Sequence, residues 1–280
     1  MVRTQKPHKP HWSLGDIAYE AIDRRAIVDN LDWFYLVAAS SFVEILSDLY
    51  ATNLGAYYAG DDEACEWLAH KWEPEEMQHG AALRRYVSCV WPDFDWERGF
   101  EGFRADYAPY CQTALLGPTR TLEMAARCVV ETGTSSFYAM LRDASPEPVL
   151  AEVVGHIRDD EVGHYKGFYH FYRQYQKRES HSRWRVAREL WRRVAEVDSE
   201  DAYLAVRNVS RVHAPGRPFE RNDFTEFRNR IRTLAALHYP FQSAVKMLVK
   251  PLDLPGPIRN VTIPFLVGGA RRVVGGGSSR

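Results

Sequence analysis

Two short segments of the chain, EMQH at residues 76–79 and EVGH at residues 161–164, share the pattern Glu-x-x-His. Both lie in long stretches whose apolar residues recur every three to four positions, the spacing of a helix with one face against a core. Residues three apart on a helix project from nearly the same face, so a carboxylate and an imidazole can reach one metal ion together. The repeated segment therefore predicts two helices that each offer a pair of metal ligands.

Four long stretches have this helical periodicity: residues 29–58, 61–91, 119–142 and 146–177. Chain breakers and capping residues separate them, such as Gly117-Pro118-Thr119 before the third. We therefore predict an all-α protein in which residues 29–178 form a four-helix bundle. The longer interval between the second and third helices predicts a long crossover, with an aromatic-rich link at residues 95–111.

The remaining regions are predicted to be smaller additions to this bundle. Residues 1–28 are expected to form an N-terminal arm and one short helix, roughly residues 16–28. Residues 179–250 have further helical patterns, near 182–197, 202–213 and 224–248, and are predicted to be a C-terminal helical extension. Repeated Pro and Gly in residues 251–280 predict a tail.

Composition narrows the class of protein. A chain of 280 residues with 45% hydrophobic content can bury a full core, and its net charge of −1 does not favour nucleic-acid binding. The four cysteines have no C-x-x-C spacing, which suits a reducing compartment and argues against a zinc ribbon. There is no signal-like N-terminus and no apolar run near the roughly 20 residues that span a bilayer. We expect a soluble, cytoplasmic protein without a transmembrane segment.

The other two predicted helices each carry one carboxylate among apolar neighbours, Glu44 and Glu131. Burial of an unpaired charge costs several kcal/mol, and a metal ion is one way to remove that cost. An alternative is a metal-free helical scaffold in which Arg127, Arg158 and other cations pair with the buried acids. Taken together, the predicted metal ligands are Glu44, Glu76, His79, Glu131, Glu161 and His164. Mixed carboxylate and imidazole ligation without thiolates favours iron, with manganese possible in one or both sites.

The ligand order resembles that of ferritin-like di-iron carboxylate proteins, in which two helices supply one Glu each and two supply Glu-x-x-His. WEPEEMQHG at residues 72–80, DEVGH at 160–164 and ETGT at 131–134 resemble segments of the soluble acyl-carrier-protein desaturases. The resemblance implies an oxidoreductase with two iron ions, dioxygen as co-substrate and an external electron donor, either a ferredoxin or a flavoprotein reductase. It also implies desaturation, or hydroxylation of the monooxygenase type, of a fatty acyl chain, and a possible homodimer.

The same resemblance assigns roles to residues beside the ligands. Glu75 is implied to hold the imidazole of His164, and Asp160 that of His79. Trp72 is implied to relay electrons or to pack beside the metals, and Thr134 to pass protons at the oxygen-binding edge. The desaturase pattern does not require Pro74, which is expected to break or kink the second helix just before the ligands.

Other activities of the same fold remain open. An amine N-oxygenase would place an extra histidine where this chain has Ile157, and His156 points about 100° away on a helix. A ribonucleotide reductase small subunit would have a tyrosine where Leu83 stands. A ferroxidase or peroxide-scavenging protein is a further alternative. Five arginines, Arg183, Arg185, Arg188, Arg192 and Arg193, indicate a surface that an acidic acyl carrier protein can meet.

Overall fold

The computed structural model describes residues 11–196 and 200–275, and this part of the chain is helical and contains no strand. The predicted all-α class is therefore confirmed. The first helices are α1 (Leu31–Ile45), α2 (Ser47–Tyr57), α3 (Asp62–Trp67), α4 (Glu73–Val90), α5 (Trp96–Tyr107), α6 (Arg120–Ala144) and α7 (Pro148–Glu179). They are followed by α8 (Arg183–Glu196), α9 (Glu200–His213), α10 (Arg221–His238), α11 (Phe241–Val249) and α12 (Gly256–Gly275).

Four helices surround the centre of the molecule. Helix α1 packs along α4, α6 packs along α7, and α4 also contacts α7. Helix α5, in the predicted aromatic-rich link, packs on α9 and touches α1. Two of the four predicted long helices are continuous, α6 and α7, whereas the first is interrupted at Leu46 and the second is divided between α3 and α4.

The division of the second helix has a local cause. A π-helical turn, Leu68–Trp72, joins α3 to α4, and the Glu73 backbone N–H donates to the carbonyl of Leu68, five residues earlier. Pro74 follows in the first turn of α4, directly after this widened turn, and has no N–H with which to continue the helical hydrogen bonds. The helix is not broken at this point: the expected break or kink just before the ligands is replaced by a widened turn within continuous helix.

Side-chain caps begin the helices where the sequence predicts. Asn30 accepts from two backbone N–H groups at the start of α1, and Thr119 accepts from Leu122 N at the start of α6. Glu147 caps α7 by accepting from the first backbone amides, although it is fully buried. Tyr86 also donates its hydroxyl to Glu147, which satisfies the buried carboxylate further.

The core has two apolar clusters that meet at the level of the predicted ligands. Trp72, just before α4, belongs to one cluster and Leu83 of α4 to the other, so Glu76 and His79 lie between them. On α7, Ile157 and Phe168 likewise belong to different clusters. The polar centre is therefore enclosed by apolar packing at both ends.

Three secondary-structure predictions were wrong. Residues predicted as one short helix form three separate 3-10 turns, Leu14–Asp16, Tyr19–Ala21 and Arg24–Ala26. The helix predicted over residues 224–248 is two helices, because Pro240 lacks an N–H and holds the preceding residue extended. The predicted tail contains α12, which forms despite its Gly and Pro residues by packing on α10 and α11. The outermost residues of the predicted arm, 1–10, and of the tail, 276–280, lie outside the described residues.

One described stretch, Leu31–Tyr57, has the length and hydropathy of a membrane span, contrary to the expectation that no apolar run is long enough. In the fold, 61% of its most apolar window is buried inside the protein. It comprises α1 and α2, is interrupted at Leu46, and contains buried Glu44. Burial of most of this window is typical of a helix in a protein core.

Candidate metal centre

The six predicted ligands come together in one buried cluster at the middle of the molecule. They form two groups of four side chains, and the ligand atoms within each group lie within 4.8 Å of one another. The first group is Glu44, Glu76, His79 and Glu161; the second is Glu76, Glu131, Glu161 and His164. Buried groups of this composition can hold metal ions.

Glu76 and Glu161 belong to both groups, whereas each of the other four residues belongs to one. A carboxylate has two oxygens and can contact two cations at once. Glu161 shows this geometry directly, because its Oε1 lies 3.3 Å from His79 Nδ1 and its Oε2 lies 3.7 Å from His164 Nδ1. The arrangement is that of two neighbouring sites with shared carboxylates between them.

Each imidazole is hydrogen-bonded, through the ring nitrogen that faces away from the cluster, to a carboxylate from the opposite helix. His79 Nε2 lies 3.2 Å from Asp160 Oδ2, and His164 Nε2 lies 2.9 Å from Glu75 Oε2. These are the cross-pairings that the family resemblance implies. In both rings the carboxylate contact engages Nε2 and turns Nδ1 toward the cluster, which is how outer carboxylates orient metal-binding histidines.

The pKa values of the two outer carboxylates suit this role. Burial raises the pKa of Glu75, but the hydrogen bond and charge of His164 outweigh it and leave the pKa below its usual value. Burial likewise raises the pKa of Asp160, and His79 together with the indole N–H of Trp12 outweighs it. Both carboxylates are therefore ionised acceptors at neutral pH.

The electrostatics of the cluster favour bound positive charge. Burial, followed by the charges of neighbouring carboxylates, raises the pKa of Glu76 and Glu131 well above the usual value for Glu. Burial lowers the pKa of His79 and His164, but their close contacts with carboxylates, at Nε2 and on the cluster side, outweigh it and raise both values well above that of free histidine. These shifts share one cause: the buried negative charge of the carboxylates stabilises bound positive charge, whether it is a proton or a metal cation.

Three buried atoms of the cluster have no directed hydrogen bond: His79 Nδ1, His164 Nδ1 and Glu161 Oε1. Carboxylate oxygens lie 3.1–3.9 Å from the two Nδ1 atoms, but without the geometry of a hydrogen bond. Buried polar atoms are seldom left unsatisfied. All three belong to predicted ligands and lie among the other ligand atoms, so the residues present fit metal ions.

Two side chains beside the ligands bind carboxylates directly. The Thr134 hydroxyl lies 2.7 Å from Glu161 Oε2, and it also lies 3.3 Å from the carbonyl of Val130. The Tyr138 hydroxyl donates to Glu44 Oε1. Burial and the Glu44 charge raise the pKa of Tyr138 well above its usual value, so the hydroxyl stays a donor.

A glycine sets the distance between the helices that carry the first site. A Cβ at Gly80, the residue after His79, would lie 2.3 Å from Ile45 Cγ1 and 2.7 Å from the Ile45 backbone N. Ile45 follows Glu44 on α1. Only a residue without a side chain therefore lets α4 approach α1 closely enough to bring His79 beside Glu44.

Two residues that hydrogen-bond to carboxylates of the site were not predicted from the sequence. Trp12, in the basic N-terminal arm, is buried and donates its indole N–H to Asp160 Oδ2 at 2.7 Å. Nothing local in the sequence indicated this contact, which joins residues 148 positions apart. Tyr138 had a usable signal, because it lies seven residues after Glu131 and so on the same face of α6.

Other residues considered from the sequence lie outside the two groups. Trp72 is buried against Phe168, with ring centroids 5.7 Å apart, and its indole nitrogen has no hydrogen-bond partner. His156 stacks on Trp12 at 5.0 Å, and Ile157 is fully buried in the apolar core.

The arginines proposed for a metal-free scaffold pair elsewhere. Arg127 binds Glu123 at 2.7 Å, and Arg158 binds Asp159 at 2.9 Å. Neither forms an ion pair with the four cluster carboxylates. In the basic run of α8, Arg192 and Arg193 pair with acids of the same helix.

Comparisons with protein-family models, with curated proteins and with solved structures found no match to this chain.

Proposed function

We propose that this chain is a ferritin-like, non-haem di-iron oxidoreductase that activates dioxygen and oxidises an apolar substrate, with a fatty acyl chain as the leading substrate class. The observation that carries the proposal is the pair of overlapping four-residue groups, with three unsatisfied buried ligand atoms among them. A single metal would not account for two complete groups that share Glu76 and Glu161.

Charge supports a site for two divalent cations. Four carboxylates bring a charge of −4 when ionised, which two divalent ions neutralise, while the two imidazoles bind as neutral ligands. Oxygen and imidazole donors without thiolate suit iron, and manganese shares this preference. When bound, iron supplies the redox chemistry that dioxygen activation needs.

The residues of this chain position and protect the centre. Glu75 and Asp160 fix the two rings, Thr134 hydrogen-bonds to a shared carboxylate, and Trp12 closes the outer side of Asp160. The Thr134 hydroxyl is suited to hand a proton to or from Glu161, which is the role implied by the desaturase resemblance. Electron delivery from an external ferredoxin or flavoprotein reductase by way of Trp72, or of Trp12, is part of the proposal.

An apolar substrate suits the surroundings of the centre. The two apolar clusters meet the ligands from both ends, so a hydrocarbon chain that reaches the metals travels among apolar side chains, where water is excluded. An acidic acyl carrier protein is the proposed donor of that chain, with Arg183, Arg185 and Arg188 on the exposed side of α8 as its contacts. A homodimer remains part of the proposal.

The test is metal analysis of protein produced in iron-rich medium, followed by oxygen uptake after chemical reduction and mass spectrometry of added acyl substrates. We expect two iron ions per chain and oxygen consumption that Glu161→Ala abolishes. The exposed acid Glu63 offers a control, because Glu63→Ala is expected to change neither. Protein without bound iron or manganese would overturn the metal assignment. Continued oxidation of added Fe(II) well beyond two ions per chain would indicate ferroxidase activity, and oxidation of added arylamines in place of acyl chains would indicate an N-oxygenase.

A further inference from the structure

Helix α12 exposes large apolar side chains on its outer face. Phe265 is 79% exposed, Val261 73%, Val273 71% and Ile258 54%. Residues 258, 261 and 265 follow the spacing of a single helix face, so they form one stripe. Such a stripe on an ordered helix in water is costly, since apolar area is stabilised when it is removed from solvent.

The opposite face of α12 is apolar as well. Ile263, Val267 and Val274 are partly buried on the side where α12 packs on α10 and α11, and none of the residues of α12 is fully buried. The inner face therefore accounts for the attachment of the helix to the protein. The outer stripe is not needed for that attachment, which leaves it available to a second apolar environment.

The charges of this segment all have one sign. Arg259, Arg271 and Arg272 are exposed, and residues 254–275 contain no Asp or Glu. At the same end of the helix, Arg232 of α10 donates to the carbonyl of Val273, and the Arg271 guanidinium lies 5.8 Å from the Phe241 ring centroid. Arginines thus flank the apolar stripe, and α10 adds a further cation beside it.

We propose that α12 is a docking surface for an anionic phospholipid bilayer. The helix lies in the plane of the membrane surface, with Ile258, Val261 and Phe265 among the acyl chains and the arginines at the level of the phosphates. Helices that combine apolar side chains with basic residues, and that have no acidic residues, bind anionic membrane surfaces. This surface is separate from the metal centre and does not depend on the proposed oxidase activity.

Charge favours lipid over a second copy of the chain. A two-fold contact along α12 would place the same cationic segment against itself, and residues 254–275 offer no carboxylate to pair with Arg259, Arg271 or Arg272. Like charges brought together at an interface oppose association. Phospholipid headgroups supply the anions that this segment lacks.

The test is sedimentation of the full-length protein with vesicles that mix phosphatidylglycerol and phosphatidylcholine. We expect binding that falls with added salt and is weak on pure phosphatidylcholine. The double variant Val261→Asp/Phe265→Asp is expected to bind at least about tenfold more weakly, because it places two charges in the apolar stripe. A matched control is Trp191→Asp on α8, since Trp191 is 74% exposed on another helix; it is expected to bind as the unmodified protein does.

Three results would overturn the proposal: no sedimentation with phosphatidylglycerol vesicles, equal binding to both kinds of vesicle, or unchanged binding by the double variant. Light scattering after gel filtration distinguishes lipid binding from contact with a second copy of the chain. A dimer that the double variant splits, with no vesicle binding, would show that a second copy covers this face. Circular dichroism melting checks that the variants fold. If the double variant unfolds, Arg259→Gln/Arg272→Gln replaces it, and unchanged vesicle binding by that variant would refute the role of charge.

Discussion

Glu161→Ala is expected to weaken both metal sites, whereas Glu44→Ala is expected to weaken one. The reason lies in how the cluster is shared. Removal of Glu161 leaves each group with three of its four ligands, and removal of Glu44 leaves the second group complete. Metal analysis after loading with Fe(II) under nitrogen is therefore expected to find two ions in the original chain, about one in Glu44→Ala, and fewer than one in Glu161→Ala.

Thermal stability gives an independent measure of the same asymmetry. A ligand that binds only the folded state, at a hundredfold excess over its dissociation constant, stabilises that state by about 2.7 kcal/mol. Two such sites contribute about 5 kcal/mol, which raises Tm by roughly 10–20 °C at about 2–4 °C per kcal/mol. The metal-dependent rise in Tm is expected to be about half as large in Glu44→Ala and close to zero in Glu161→Ala.

Each variant is compared with and without metal, so that the cost of the substitution itself does not enter the difference. Glu63→Ala, which changes an exposed acid, is the control and is expected to show the full rise. Equal losses of metal and of thermal shift in Glu44→Ala and Glu161→Ala would refute the shared-ligand geometry. A Tm of the original protein that does not respond to iron or manganese would refute the metal centre altogether.

The remaining predictions concern the supports of the centre and the fold. Gly80→Ala is expected to lower the free energy of unfolding by about 1–3 kcal/mol, because its Cβ clashes across the α1–α4 contact. Gly133→Ala is expected to raise it by about 0.5–1 kcal/mol, because its Cβ meets nothing within 4 Å and Ala restricts the unfolded chain; urea unfolding measures both changes. Trp12→Phe removes the indole N–H that binds Asp160, the carboxylate behind His79. It is expected to weaken Fe(II) binding at the site that contains His79 about 10–100-fold, as measured by calorimetry, and to leave the other site unchanged. Equal weakening of both sites would contradict this. Burial raises the pKa of Glu123, but its partner Arg127 and a backbone N–H outweigh burial and lower the pKa below its usual value. The pair therefore stabilises the fold fully above the unfolded pKa of about 4.3, and this contribution is lost as pH falls through the folded pKa. Glu123→Gln is therefore expected to cost about 3–5 kcal/mol at pH 7 and to flatten the acid side of the stability profile; a cost that persists unchanged at low pH would contradict the assignment.

Much of the fold follows from local patterns in the sequence. Capping residues such as Thr119 and Glu147 mark the helix starts because their side chains bind backbone amides only a few residues away. Pro74 indicated the irregular turn before α4 for the same local reason. The prediction for residues 251–280 failed because Gly and Pro report only the intrinsic preference of a segment, and packing on α10 and α11 overrides that preference in α12.

The two Glu-x-x-His segments and two isolated glutamates were sufficient to name six candidate ligands, because the period of an α-helix determines which side chains share a face. The sequence could not show that Glu76 and Glu161 are shared, that Tyr138 binds Glu44, or that Trp12 reaches Asp160. Those contacts depend on how far each helix is rotated and how closely it approaches its neighbours. Rotation and approach are decided by packing between residues distant in the chain, so only the tertiary structure reveals them.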